Sequence, residues 1–144
     1  MPRILLSPLI SALLCMLPIP KYRRYVLYTS VAVIGIGLIA SLVNLEHFLD
    51  NKTNVQQFLI FNWLSVLSVN FSISIQVDIL AAVMLFLVYI VSWVVHVYSI
   101  GYMEDEKGIM RFFSYLGLFT FSMATLVLAD NLLLLFFGWE GVGL

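Results

Sequence analysis

Long apolar runs alternate with short polar interruptions along this chain of 144 residues. Residues 4–19 form the first run, 26–45 the second, 78–99 the third, 112–129 the fourth and 131–144 the fifth. About 20 apolar residues in a helix match a hydrocarbon layer roughly 30 Å thick, so each run is read as a membrane-crossing helix, the last of them incomplete. The first run is short and contains Pro8, tolerable in the opening turns of a helix, which predicts a tilted or thin span. In the second run Val33, Gly37 and Ser41 recur every four residues, a spacing that suits close helix packing in lipid.

One segment departs from the helical period. From Glu46 to Gln57 the chain turns polar, and further on Phe71, Ile73, Ile75 and Val77 alternate with Ser72, Ser74 and Gln76. Alternation of this kind belongs to a half-buried strand and predicts a short β-hairpin outside the bilayer, between the second and third helices. Phe58–Val69, directly before the turn-former Asn70, supplies the other strand or else forms an interfacial helix. The fold class is therefore an all-α membrane protein of about five transmembrane helices carrying one hairpin, with residues 1–144 as one transmembrane unit.

Composition agrees with the pattern. Hydrophobic residues make up 62% of the chain and charged residues 10%, against about a quarter charged in a soluble domain, so the lipid bilayer is its environment. A net charge of -1 with no basic stripe excludes a nucleic-acid partner and an electrostatic anchor to anionic lipid. A single cysteine, Cys15, excludes an internal disulfide and any multi-cysteine metal or iron–sulfur site in this chain, and reads as an inert small hydrophobe. Arg3 ahead of an apolar stretch imitates a signal peptide, but Pro18 and Pro20 followed by Lys21, Arg23 and Arg24 make a poor cleavage site. The first helix is expected to be retained. Lys21, Arg23, Arg24, Lys107 and Arg111 fall on one side of the predicted spans and Arg3 and Lys52 on the other, which puts the basic side in the matrix or cytoplasm.

Within this apolar background four polar residues stand out. Glu140 lies nine residues beyond Asn131, roughly 13 Å along the fifth helix and close to the middle of the hydrocarbon core. A carboxylate at that depth costs on the order of 3 kcal/mol to insert, so it is expected to face protein or a water path and to have a partner. Carboxyl groups hold their proton more readily out of water and release it beside a basic group, so motion of such a partner can load and unload a proton. Gly138, Gly141 and Gly143 are expected to let water or another helix approach the carboxylate. The plainer reading is a buried structural Glu bonded across helices.

Tyr89, Ser92, His96 and Ser99 follow a three, four, three spacing that lines one face of the third helix, and a polar stripe in lipid points inward. His96 is read as a helix-holding hydrogen bonder first and a proton relay second. Asp78, at the start of the third helix, is explained by a capping role. Asp130 is expected to cap the fifth helix, with proton exit as a weaker role. No Gly-rich phosphate loop, metal-ligand cluster or nucleophile constellation occurs in the sequence.

Three stretches, VDILAAVMLFLV from Val77, VHVYSIGYM from Val95 and RFFSYLGLFTFSMATLVLADNLLLLFFGWEGVGL from Arg111, together resemble subunit 5 of respiratory NADH dehydrogenase, the distal antiporter-like subunit of complex I. The resemblance is strong over the second half of the chain and rests on pattern over the first. It implies a membrane-arm subunit that moves a proton when NADH oxidation and quinone reduction elsewhere drive the complex, with Glu140 as a central charged site. It also implies that NADH, FMN, iron–sulfur clusters and ubiquinone are bound by other subunits, with no cofactor in this chain, and that the setting is the mitochondrial inner membrane. The family's lysine partner lies on a later broken helix, beyond residue 144. A split subunit is therefore expected, its remainder a second polypeptide docking here beside the other membrane-arm subunits. The alternatives are a related cation/proton antiporter, which shares the glutamate-bearing helix, and a fragment that only scaffolds or assembles the membrane arm.

Overall fold

The computed structural model describes residues 2–16, 23–51, 55–66, 69–104, 106 and 108–144, and the side chains of these residues other than 2–3, 51 and 60–72. Lys21, Lys52 and Lys107 from the charge reading, with Pro18 and Pro20, lie outside the described residues, as do the side chains of Arg3, Asn70, Phe71 and Ser72. The elements in order are helices α1 (Pro2–Met16) and α2 (Arg23–Asn51), strands β1 (Gln56–Val66) and β2 (Val69–Val77), and helices α3 (Ile79–Tyr102), α4 (Ile109–Leu128) and α5 (Leu132–Gly143). Helices α2, α3 and α4 are long and apolar enough to cross a membrane, and α1 and α5 are shorter apolar helices.

The predicted hairpin is present. β1 and β2 pair antiparallel from Gln56 opposite Val77 to Val66 opposite Val69, with register shifts at Leu59/Phe61 and Asn62/Leu64. Of the segment left open between strand and interfacial helix, residues 58–66 are strand, residues 67 and 68 lie outside the described residues, and Asn70 lies within β2, paired with Ser65. One boundary differs from the sequence reading. The polar stretch after Leu45 does not end the second helix, because α2 continues through Glu46 to Asn51 and turns Phe48, 1% exposed, into the core.

The two ends of the bundle are tied differently. At one end Arg23 donates to the carbonyl oxygens of Glu104 (3.1 Å) and Glu106 (2.6 Å). Arg24 pairs with Glu104 at 2.9 Å, an exposed ion pair that contributes little. At the other end the hairpin meets the α4–α5 turn, where Ile75 bridges Ala129. Arg23 and Arg24 therefore share an end with the link between α3 and α4, as the charge reading predicts, and the hairpin shares an end with Asp130.

The core divides along the same axis. Ile34, Phe48, Ile75, Val77 and Leu85 belong to a cluster toward the hairpin, and Cys15, Leu27, Ile109 and Phe113 form a second toward the basic end. Buried hydroxyls stitch the helices between them, with Ser11 and Ser30 joining α1 to α2 at 2.5 Å. Ser92 and Thr120 join α3 to α4 at 2.6 Å. With lipid outside as apolar as leucine inside, such bonds and close backbone approach do more for cohesion than burial does.

Pro8 has a larger role than its position suggested. Without an N–H it cannot bond the carbonyl of Ile4, four residues back. That carbonyl instead accepts from Ser7 Oγ at 2.9 Å and from Tyr89 Oη, on α3, at 2.5 Å. A Cβ at Gly37 of α2 would overlap both the Tyr89 ring and the Ser7 hydroxyl, so the glycine admits the node where three helices meet. Ser30, Ile34, Gly37 and Ser41 form the buried stripe of α2, whereas Val33 of the predicted spacing is half-buried. Gly117 of α4 similarly lets the Ala12 backbone approach, at 3.0 Å from an added Cβ.

Candidate functional site

Helix α5 begins where the hairpin is latched. Asn131 holds an extended conformation and its side chain accepts from Leu134 N at 2.8 Å, so Asn131, and not Asp130, is the N-cap. Asp130 faces the other way and accepts from Ser74 Oγ at 2.7 Å and Gln57 Nε2 at 3.4 Å. The capping role predicted for Asp130 is thereby corrected. Either residue type can cap a helix, and Ser74 and Gln57 occupy the aspartate. Asp78, in contrast, caps α3 as expected, accepting from Ala81 N at 2.7 Å.

From that anchored start, α5 lies against α4 through its glycines. A Cβ on Gly138 would stand 2.8 Å from the backbone of Leu126, and one on Gly141 would overlap Ser122. Gly143 meets nothing within 4 Å. At 100° per residue, Glu140 points about 130° away from the line of Gly138 and Gly141. Gly138 and Gly141 thus admit α4 on a side of α5 away from the carboxylate, so the predicted opening toward Glu140 is not their use.

Glu140 is exposed on the surface of the chain, eight positions into α5 and about 12 Å from its first residue. Among the described residues no basic side chain pairs with it. Around it lie large apolar groups, with Phe136 55%, Phe137 51% and Trp139 68% exposed. These aromatics form an exposed apolar surface. The carboxylate therefore sits within an otherwise apolar face that the described residues leave uncovered.

The second polar constellation is closed. Tyr89 and His96 are fully buried, and Ser92 and Ser99 are 8% and 4% exposed, as the spacing predicts. His96 Nδ1 lies 2.8 Å from the carbonyl oxygen of Ser92 and 3.3 Å from its hydroxyl, and the imidazole meets the Phe113 ring edge-on at 5.5 Å. Thr120, the α4 partner of Ser92, was not singled out from the sequence. Its signal was the stripe Phe113, Gly117, Thr120 and Ala124, which has the spacing of one helical face and is buried throughout. Gln57 and Ser74, which hold Asp130, carried no signal beyond the strand alternation. The structure does not bring the four polar residues into one site: Asp78 and Asp130 serve helix and hairpin ends, His96 is enclosed between α3 and α4, and Glu140 stands apart on α5.

Residues 63–113 match the family described as NADH-Ubiquinone oxidoreductase (complex I), chain 5 N-terminus. The chain is 42% identical over 144 residues, 98% of its length, to NADH-quinone oxidoreductase subunit L of Neisseria meningitidis serogroup B, covering 21% of that protein. To subunit L of Escherichia coli it is 40% identical over 119 residues, 78% of this chain and 19% of the relative. To NADH-ubiquinone oxidoreductase chain 5 of Dictyostelium discoideum it is 45% identical over 91 residues, 63% of this chain and 14% of the relative. The chain spans about a fifth of the length of the first of these curated relatives. By its apolar helices, its hairpin and these similarities, the chain belongs to the family of complex I chain 5, whose bacterial members are named subunit L.

Proposed function

We propose that this chain forms part of the proton-translocating membrane arm of an NADH:ubiquinone oxidoreductase, with Glu140 as a proton-loading group. The observation that carries the reading is the placement of one carboxylate on the uncovered apolar face of α5, with α4 packed against a different side. In lipid such a group is stable only beside a basic side chain or a hydrated path, and a group supplied from outside the described residues meets it directly on that face. Proton loading then follows from the distance to that partner. Close approach favours the carboxylate, and withdrawal favours the protonated acid.

Electrons do not pass through this chain in the proposed mechanism. NADH, FMN, the iron–sulfur clusters and ubiquinone belong to other subunits, and this chain contributes helices and a titrating group. The similarity to chain 5 of Dictyostelium supports a mitochondrial inner membrane setting, and the similarity to the bacterial subunits L fits a bacterial plasma membrane as well. Substituting Glu140→Gln in the assembled complex keeps the size and polarity of the side chain and removes its charge. Proton translocation per quinone reduced is expected to fall while the complex still assembles. Unchanged pumping at unchanged quinone reduction contradicts the proposal.

A further inference from the structure

The hydrogen bonds between α3 and α4 run in one direction. Thr120 Oγ1 donates its only proton to Leu116 O at 2.9 Å, so in the 2.6 Å contact with Ser92 it is Ser92 Oγ that donates. Ser92 O is a pure acceptor, which requires the proton on His96 Nδ1 that stands 2.8 Å from it. Every proton in this chain of bonds therefore points away from the far side of the imidazole. His96 Nε2 is left as its open end, and it is a buried atom with no hydrogen-bond partner among the described residues. Neither Ser92 nor Thr120 can supply one, because both hydroxyl protons are committed. His96 is also fully enclosed, with 0% exposure, so a side chain from another polypeptide does not reach it without opening the bundle.

We propose that His96 Nε2 is a second protonatable site of this subunit, loaded by an internal water held inside the bundle. The water donates a hydrogen bond to the Nε2 lone pair. Such a water needs further polar partners, and Ser99, one turn along α3, and Ser114, beside Phe113 on α4, are buried polar residues of the same two helices. In the loading step a hydronium on that water gives its proton to Nε2, which leaves water and an imidazolium whose Nδ1–H still bonds Ser92 O. Release is the reverse step at the same nitrogen. Because Nδ1 stays engaged with the backbone, the proton enters and leaves on one side, and His96 stores a proton without conducting it through the ring. The titratable neighbour in the adjoining buried cluster is Cys15, which packs in the group containing Phe113.

This site does not depend on Glu140, whose own substitution tests the earlier proposal. Two measurements on the assembled complex decide it. The first is density at a resolution that shows waters. An ordered water within about 3.2 Å of His96 Nε2 is expected, and an Nε2 sealed by carbon atoms overturns the proposal. The second compares His96→Gln, whose amide can still donate to Ser92 O but cannot take a proton, with His96→Phe. Both are expected to lose proton translocation per quinone reduced. Wild-type translocation in His96→Gln, with damage confined to His96→Phe, assigns the residue to helix packing and overturns the proposal. If neither variant assembles, the density of the unsubstituted complex decides alone.

Discussion

Helices α3 and α5 are both apolar and both carry polar groups, yet the chain treats them in opposite ways. Along α3 the polar stripe is turned inward, and Tyr89, Ser92 and His96 are bonded to α1, to α4 or to their own helix. On α5 the Glu140 carboxylate is turned outward, with no bonded side chain among the described residues. A hydroxyl can be satisfied by one or two neighbours, so it serves as an interhelical clamp. A carboxylate needs a counter-charge or water, and the described residues of α4 and α5 offer neither to Glu140. The contrast separates residues that hold this bundle together from the one it holds out to something else.

If that division is right, disturbing the α4–α5 contact has the largest structural effect. Gly138→Val places carbon atoms where the Leu126 backbone lies, and overpacking of this kind typically costs about 1–3 kcal/mol. A lower melting temperature of the solubilised complex, or failure to assemble, is expected. Gly143→Ala, which meets nothing within 4 Å, is the matched control with no effect.

Asp130→Ala comes next. It leaves Ser74 and Gln57 without their acceptor and frees the hairpin from the turn that starts α5, for an expected loss of about 1–2 kcal/mol. Faster proteolysis or amide exchange in the hairpin is the readout, and unchanged protection would show that the Ile75–Ala129 bridge suffices.

Tyr89→Phe has a smaller effect, about 1 kcal/mol, because the Ile4 carbonyl keeps its bond from Ser7. Thermal melting measures it, and no change would mean that the Pro8 node is held by shape alone.

Much of this architecture was legible in the residues. Helical and two-residue periods located the helices and the hairpin because each reports which face is buried. The Asp78 cap followed from a local rule acting over three residues, and the inward stripe of α3 from a face whose exposure to lipid is too costly. The contacts that escaped are those between distant parts of the chain. Nothing near Pro8 announces that Tyr89 repairs its missing bond, and nothing in the ADN turn says which of two adjacent capping residues the hairpin occupies. The end of α2 was misplaced for a related reason. Glu46, His47, Asp50 and Asn51 read as a boundary, but one aromatic, Phe48, buried in the cluster toward the hairpin, keeps the helix going. Glu140 was visible as an anomaly of depth, while its direction required knowing that Gly138 and Gly141 face α4.

The claim on which the account rests is that Glu140 is presented to a partner outside the described residues. A structure of the intact membrane arm, with side chains and waters resolved around α5, tests it directly. A basic group or a file of waters within hydrogen-bonding reach of the Glu140 carboxylate, approaching from a face of α5 not covered by α4, is the predicted result. Acyl chains alone around that carboxylate, with no charge or water near it, would contradict it.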